Sequence, residues 1–350
     1  MANTGTTPRA VSRRQFFLAL AGLLLLLFTL NKAVARSARD TFPRQLMAQV
    51  RERPGAGVVA LGNSLVGVGF DESAFDEGIG LNQQQGMINL GLGNSTPVEH
   101  LMLLRYALHN GERPRLLIYG FFDFQLTHPA EFATSDLIGN RAMLYYLDPE
   151  YARRFYHLSL HDRIEFEIMR RFPLFVDRSV TWERVELFRR KLEQQGMPPV
   201  KTNSLGRAND FSLLEYPSRP AFIEECGRAS RRDLIPSVRE IIRQGKSAGM
   251  KVVFIEMPLP PAHVQSFYDT AAWDQYRSHV QGMLVGAGAQ FIDASHTMPD
   301  ESMFADPLHM TYEASKEFSG RIGESLREER QEEAIATPPP GSRLEAAQPK

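Results

Sequence analysis

The 350-residue sequence predicts an α/β fold: a doubly wound parallel five-stranded sheet with a helical insertion, preceded by an N-terminal hydrophobic helix. Three observations predict it. Five short, apolar, β-rich runs recur along the chain, and amphipathic segments of helical length separate them. A single uninterrupted apolar run stands near the N-terminus.

That first run lies in "PRAVSRRQFFLALAGLLLLLFTLNKAVARSA", where Arg9, Arg13 and Arg14 precede an apolar stretch from Phe16 to Leu30. It suits a short membrane-crossing helix or a long signal h-region. "SRRQFF" resembles a twin-arginine export signal, and Ala33-Val34-Ala35 has the small-residue spacing a signal peptidase accepts. Residues 1–36 are therefore expected to be a signal peptide or a membrane anchor. The remainder would face the periplasm from the inner membrane, or be soluble there after cleavage. A buried core helix fits poorly, because charge flanks a wholly apolar segment. Residues 37–56 form a linker with a helix over about Phe42–Arg51.

The predicted strands are Val58–Leu61, Met87–Leu90, Leu116–Tyr119, Val252–Glu256 and Gln290–Ile292. Between the second and third, "STPVEHLMLLRYALHN" reads as a helix with Thr96 as N-cap, Pro97 at the first helical position and Glu99 closing a capping box. "RDLIPSVREIIRQGKSAG" is a helix before the fourth strand, with Gly249 where the exit needs positive φ. "AAWDQYRSHVQGMLVGAG" feeds the fifth strand, and "TYEASKEFSGRIGESLREER" closes a domain spanning 57–330. Residues 126–230, rich in aromatics and arginine, read as an inserted set of helices. They are expected to form either a cap packed on the core with a solvated arginine face, or a lid or a surface for an envelope protein partner. Residues 331–350 read as a disordered tail, being Pro- and charge-rich.

Composition excludes several classes. Forty basic against 41 acidic residues leave a formal charge of −1, so no broad nucleic-acid surface is expected. The lone Cys226 allows no intramolecular disulfide and no cysteine metal cluster, and reads as a packed small side chain. No His or carboxylate cluster has metal-ligand spacing, and "GLGNST" lacks the third glycine of a dinucleotide loop, so no metal and no cofactor is expected.

Ligands of such a sheet sit at the carboxyl ends of its strands. Ser64 follows strand one; Gly91, Gly93 and Asn94 follow strand two; Gly120 and Asp123 follow strand three. Asp306 and His309 precede the last helix. A serine hydroxyl needs a base within hydrogen-bond reach, an imidazole is suited to that task, and an aspartate can orient the ring. Each residue also has an ordinary explanation. Gly62, Asn63 and Ser64 are turn formers, His309 suits a helix entry, and Asp306 before Pro307 starts a turn. Asp123 suits a loop-holding role.

Together these blocks carry a resemblance. "LGNSL", "INLGLGNST", "IYGFFDF" and "DPLHMTYEAS" resemble, in order, the sequence blocks of the SGNH/GDSL hydrolase family, over roughly Val58–Leu326 without the insertion. The resemblance implies a flavodoxin-like sheet of the SGNH hydrolase type. It also implies Ser64 as nucleophile, His309 as general base and Asp306 as its orienting group. The oxyanion hole would be made by the amides of Ser64 and of Gly93 or Asn94. The chain departs from the family in three places. Asn63 replaces an aspartate, the glycine block is one residue short, and Phe122 stands where the family has an asparagine donor. Two functions follow. One is an extracytoplasmic serine esterase or O-acyltransferase, acting on an acylated small molecule or on carbohydrate acyl groups of envelope or secreted polysaccharide. The other is a catalytically inactive membrane-anchored scaffold in envelope or exopolysaccharide assembly, which Phe122 favours.

Overall fold

The structure, a computed structural model, describes residues 12–39, 41–82, 85–111, 113–128, 147–156, 159–177, 180 and 218–336. In chain order its main elements are α1 (Arg13–Ser37), α2 (Phe42–Glu52), β1 (Val58–Leu61), α3 (Ser64–Gly69), α4 (Glu72–Ile79), β2 (Met87–Asn89), α5 (Pro97–His109) and β3 (Leu116–Phe121). There follow α6 (Pro149–Tyr156), α7 (Leu160–Arg171), α8 (Pro173–Val176), α9 (Arg219–Ala229), α10 (Pro236–Ser247), β4 (Lys251–Glu256), α11 (Ala271–Gly286), β5 (Gln290–Asp293) and α12 (Tyr312–Ala336). The chain divides into two compact units. One comprises Met1–Gln45 with Phe132–Met197, the other Leu46–Glu131 with Pro198–Lys350.

The second unit holds the sheet. All neighbouring strands are parallel and their order is β2-β1-β3-β4-β5. This is the flavodoxin-like order, with its switch point between β1 and β3. The strands are near-continuous apolar runs because helices cover both faces. The right-handed crossover rule sends α4 to one face and α5, α10 and α11 to the other. The contacts agree, pairing α4 with α12 and α5 with α10.

All five predicted strands form. β3 runs on through Gly120 and Phe121, which pair with Ile255 and Glu256. Gly120 is needed there, since a Cβ would meet the Val66 side chain. The start of α5 follows its sequence signature, with Glu99 Oε2 accepting from the Thr96 amide at 2.7 Å. Gly249 takes φ +80° at the exit from α10. α12 continues past Arg330 to Ala336, and 337–350 lie outside the described residues. Of the expected insertion, residues 126–128, 147–156, 159–177, 180 and 218–230 are described.

α12 packs on α4 almost backbone to backbone. A Cβ on Gly78 would lie 2.4 Å from the Gly320 carbonyl, and one on Gly323 would lie 2.6 Å from the Phe75 carbonyl. Ser319 locks the register: its hydroxyl accepts from the Asp71 amide at 2.8 Å and donates to the Ser315 carbonyl at 2.6 Å. This packing fixes where the loop preceding α12 lies.

In the first unit, α1 is long and apolar enough to cross a membrane and is almost bare along its apolar run. Its end is packed: Val34 and Ala38 are buried, and Asn31 Oδ1 accepts from the Leu174 amide at 2.8 Å. Arg44 grips Asp177 through both carboxylate oxygens at 3.0 and 2.8 Å, and donates to the Ala38 carbonyl at 2.8 Å.

Candidate active site

The turn leaving β1 shows why "GNS" stands there. A Cβ on Gly62 would lie 2.3 Å from Val66 Cγ2 and 2.6 Å from the Gly120 carbonyl, so only glycine fits. Asn63 then caps α3, its Oδ1 accepting from the Leu65 amide at 2.9 Å. An asparagine does this as well as an aspartate would, which accounts for the first departure from the family block. Ser64 is left at the first helical position, half-buried, with its hydroxyl at the carboxyl edge of the sheet.

The candidate base arrives from a loop 245 residues further along. The segment Phe304–Met310 closes into a tight loop through an antiparallel bridge between its ends, and the Ala305 amide donates to the His309 carbonyl at 2.7 Å. Within it, Asp306 Oδ1 accepts from the Leu308 and His309 amides, each at 2.9 Å. His309 Nδ1 lies 2.9 Å from both Asp306 oxygens, and Nε2 lies 2.8 Å from Ser64 Oγ. Burial alone would raise the Asp306 carboxyl. Hydrogen bonds from the His309 ring and the two amides outweigh it and hold the group below the ordinary carboxylate range. An ionised Asp306 accepts a hydrogen bond from Nδ1–H, which leaves Nε2 as acceptor for the Ser64 hydroxyl. Sequence reasoning named all three residues, and the fold brings them into one hydrogen-bonded line.

The loop after β2 lies against the serine. A Cβ built on Gly93 would be 3.9 Å from Ser64 Cβ. Among the described residues, neither the Ser64 nor the Gly93 amide donates to a protein acceptor. Both are open to a developing oxyanion. Asn94, exposed, takes φ +50°, a left-handed conformation that asparagine tolerates. Phe122 follows β3 half-buried and supplies no donor. Asp123, at φ +46°, is committed to its loop. Its amide donates to Tyr268 Oη at 2.9 Å, and that hydroxyl donates back to Oδ1 at 2.9 Å.

Two supporting groups escaped sequence reasoning. Asn89 ends β2 with its amide nitrogen donating to the Val66 and Phe70 carbonyls, both at 3.0 Å, while Oδ1 accepts from Gly91 at 2.9 Å. It thereby ties the β2 loop to the end of α3. Its only signal was a polar residue closing an apolar run. The second group is a buried chain. The Ser95 hydroxyl donates to the Leu92 carbonyl, so it accepts from His100 Nε2 at 2.6 Å, and Tyr119 Oη donates to Nδ1 at 2.8 Å. Burial pushes His100 down to about 3, so the ring is neutral. This chain spans both sides of Gly93, from β3 to the loop presenting its amide.

Other features lie apart from the site. A cavity of about 350 Å³ opens at the opposite, amino end of the strands, lined by Val58, Leu116 and Lys251 among others. Cys226 is buried, and burial pushes its thiol up to about 12. Donor atoms of His161, Asp162 and Glu165 on α7 come within 4.8 Å of one another, a grouping the sequence spacing did not suggest. Two of the three are at most partly covered and Asp162 is engaged by Ser159, so the grouping gives no enclosed metal site.

A protein-family model matches residues 234–330, from the end of the loop before α10 into α12. No curated protein matches the chain. Solved structures do. A proposed acylhydrolase from Bacteroides fragilis NCTC 9343 is 13% identical with a TM-score of 0.37, over 81% of this chain and 94% of that one. A GDSL-like lipase from Bacteroides thetaiotaomicron VPI-5482 is 10% identical with a TM-score of 0.33, over 78% of this chain and 88% of that one.

Proposed function

We propose that the protein is a membrane-anchored, extracytoplasmic serine esterase or O-acyltransferase of the SGNH/GDSL type. One observation carries the reading: the unbroken line Asp306–His309–Ser64, with 2.9 and 2.8 Å links, beside two uncommitted backbone amides. The sequence blocks at those positions support it.

In the first half-reaction, His309 Nε2 takes the Ser64 proton as Oγ bonds to the acyl carbonyl carbon. The carbonyl oxygen gains the negative charge, which the Ser64 and Gly93 amides stabilise. Collapse breaks the ester C–O bond, the imidazolium returns its proton to the leaving alcohol, and acyl-Ser64 remains. In the second half, His309 deprotonates water or a carbohydrate hydroxyl, which takes the acyl group and frees Ser64. Envelope or secreted polysaccharide is the proposed acyl donor or acceptor, from the proposed location outside the cytoplasm. Retention of α1 is supported by the helix running unbroken through Ala33–Ala35, with Val34 and Ala38 packed into its unit.

The competing reading, an inactive scaffold, is favoured by Phe122. Labelling the purified full-length protein with a fluorophosphonate decides between them. The enzyme becomes phosphonylated on Ser64, and Ser64→Ala and His309→Ala are not labelled. A folded wild-type protein that takes no label overturns the enzyme and leaves the scaffold.

A further inference from the structure

α7 presents apolar side chains to solvent where an ordinary surface helix would present polar ones. Leu160, Ile164, Ile168 and Phe172 recur every fourth residue, and Phe175 on α8 continues the stripe; all five are between 42% and 76% exposed. The helix has a separate core-facing side in Phe166 and Met169, so the stripe is a second apolar face. Phe172 and Phe175 meet edge to face with ring centroids 6.2 Å apart. A contiguous exposed apolar surface of this kind marks an interaction site.

Its position identifies the occupant. α8 is tied to α1 by the Leu174 amide on Asn31, and the residue after it, Asp177, is gripped by Arg44 of α2, which also donates to the Ala38 carbonyl just past the end of α1. Asn31 is the first polar residue after the apolar run Phe16–Leu30. The exposed apolar run of α1 therefore ends just before the residue that meets Leu174, which sits between the exposed Phe172 and Phe175. Basic residues border both: Lys32 and Arg36 on α1, Arg170 and Arg171 closing α7. Apolar side chains flanked by arginine, at the end of a span, match a helix lying in the plane of a bilayer surface.

We infer that the α7–α8 stripe is a second membrane contact. It lies in the lipid headgroup region beside the exit of α1, with a phospholipid bilayer as its partner. The inference rests on α1 spanning the membrane, as proposed above.

The test uses the full-length protein in phosphatidylcholine–phosphatidylglycerol nanodiscs. Single cysteines replace Ile164, Phe172, Leu24 or Arg163 and carry an environment-sensitive fluorophore. Cys226 is buried with a raised thiol and does not compete for the label. Labels at Ile164 and Phe172 are expected to shift to the blue and to lose most of their emission when the lipids are brominated. A label at Arg163 should stay water-like. Quenching at Leu24 with none at Ile164 or Phe172 overturns the second contact and leaves the anchor standing. No quenching at Leu24 overturns the anchor and this inference with it. A blue shift at Ile164 that follows protein concentration, without brominated-lipid quenching, means that a second copy covers the stripe, and also overturns it.

Discussion

Replacing Gly78 by alanine tests how α12 delivers the base. The new Cβ would lie 2.4 Å from the Gly320 carbonyl, and ordinary contact begins at 3.4 Å, so the nearest backbone must retreat by about 1 Å. No flexible side chain is available to yield. Overpacking of this kind costs about 1–3 kcal/mol, and the better helix propensity of alanine offsets at most about 1 kcal/mol. The expected net loss is about 1–2 kcal/mol, which lowers Tm by about 2–8 °C in a unit of this size. His309 lies three residues before α12, so the displacement reaches its 2.8 Å contact with Ser64. A misplacement of about 1 Å costs up to about a hundredfold in rate. Thermal unfolding and the rate of fluorophosphonate labelling measure the two effects. Gly282→Ala, in open space on α11, serves as the opposite control and should stabilise by about 0.5–1 kcal/mol. A Gly78→Ala protein labelled at the wild-type rate, whatever its Tm, would refute the idea that the α4–α12 crossing sets the serine–histidine gap.

Further outcomes concern the site itself. Asp306→Asn presents an amide to the ring and favours the wrong tautomer, so labelling should slow on the order of a thousandfold or more at neutral pH. Because Asp306 is held below its ordinary value when folded, its contribution to stability is complete above the unfolded carboxylate pKa. It is lost as pH falls through the lower folded value, and acid titration of Asp306→Asn should lack that loss. His100 is lowered to about 3 when folded. The unfolded chain therefore binds its proton first, and stability falls from about pH 6.5 downward. His100→Gln, which keeps a donor and an acceptor without titrating, should flatten that fall. His100→Phe should cost about 1–3 kcal/mol by removing the buried hydrogen bonds of the ring to Ser95 Oγ and Tyr119 Oη. Asn94→Gly relieves the left-handed backbone and should leave labelling within about threefold of wild type. A hundredfold loss would put the Asn94 side chain, rather than the Gly93 amide, in the oxyanion hole.

Much of the sheet was legible because parallel strands buried on both faces read as plain apolar runs, and "VVAL" and "LLIY" do. Ser64, Asp306 and His309 were legible for a different reason: each sits in a short local block whose chemistry makes sense alone. Asn89, Ser319 and the Ser95–His100–Tyr119 chain were not. Their roles depend on partners distant in sequence, and nothing local separates a bridging asparagine from a turn asparagine. The Gly78–Gly320–Gly323 crossing was equally silent, since glycines within helical segments announce only weakened helices. The α7 stripe was hidden because its apolar residues read as core until burial showed which of them stay uncovered.

The proposed nucleophile and its proposed base are separated by 245 residues, and the imidazole comes from the loop that precedes α12. On the proposed mechanism, a chain cut before His309 leaves the Ser64 hydroxyl without this proton acceptor. The proposed chemistry thus depends on a long-range join, the seating of α12 on α4, rather than on any local stretch of sequence.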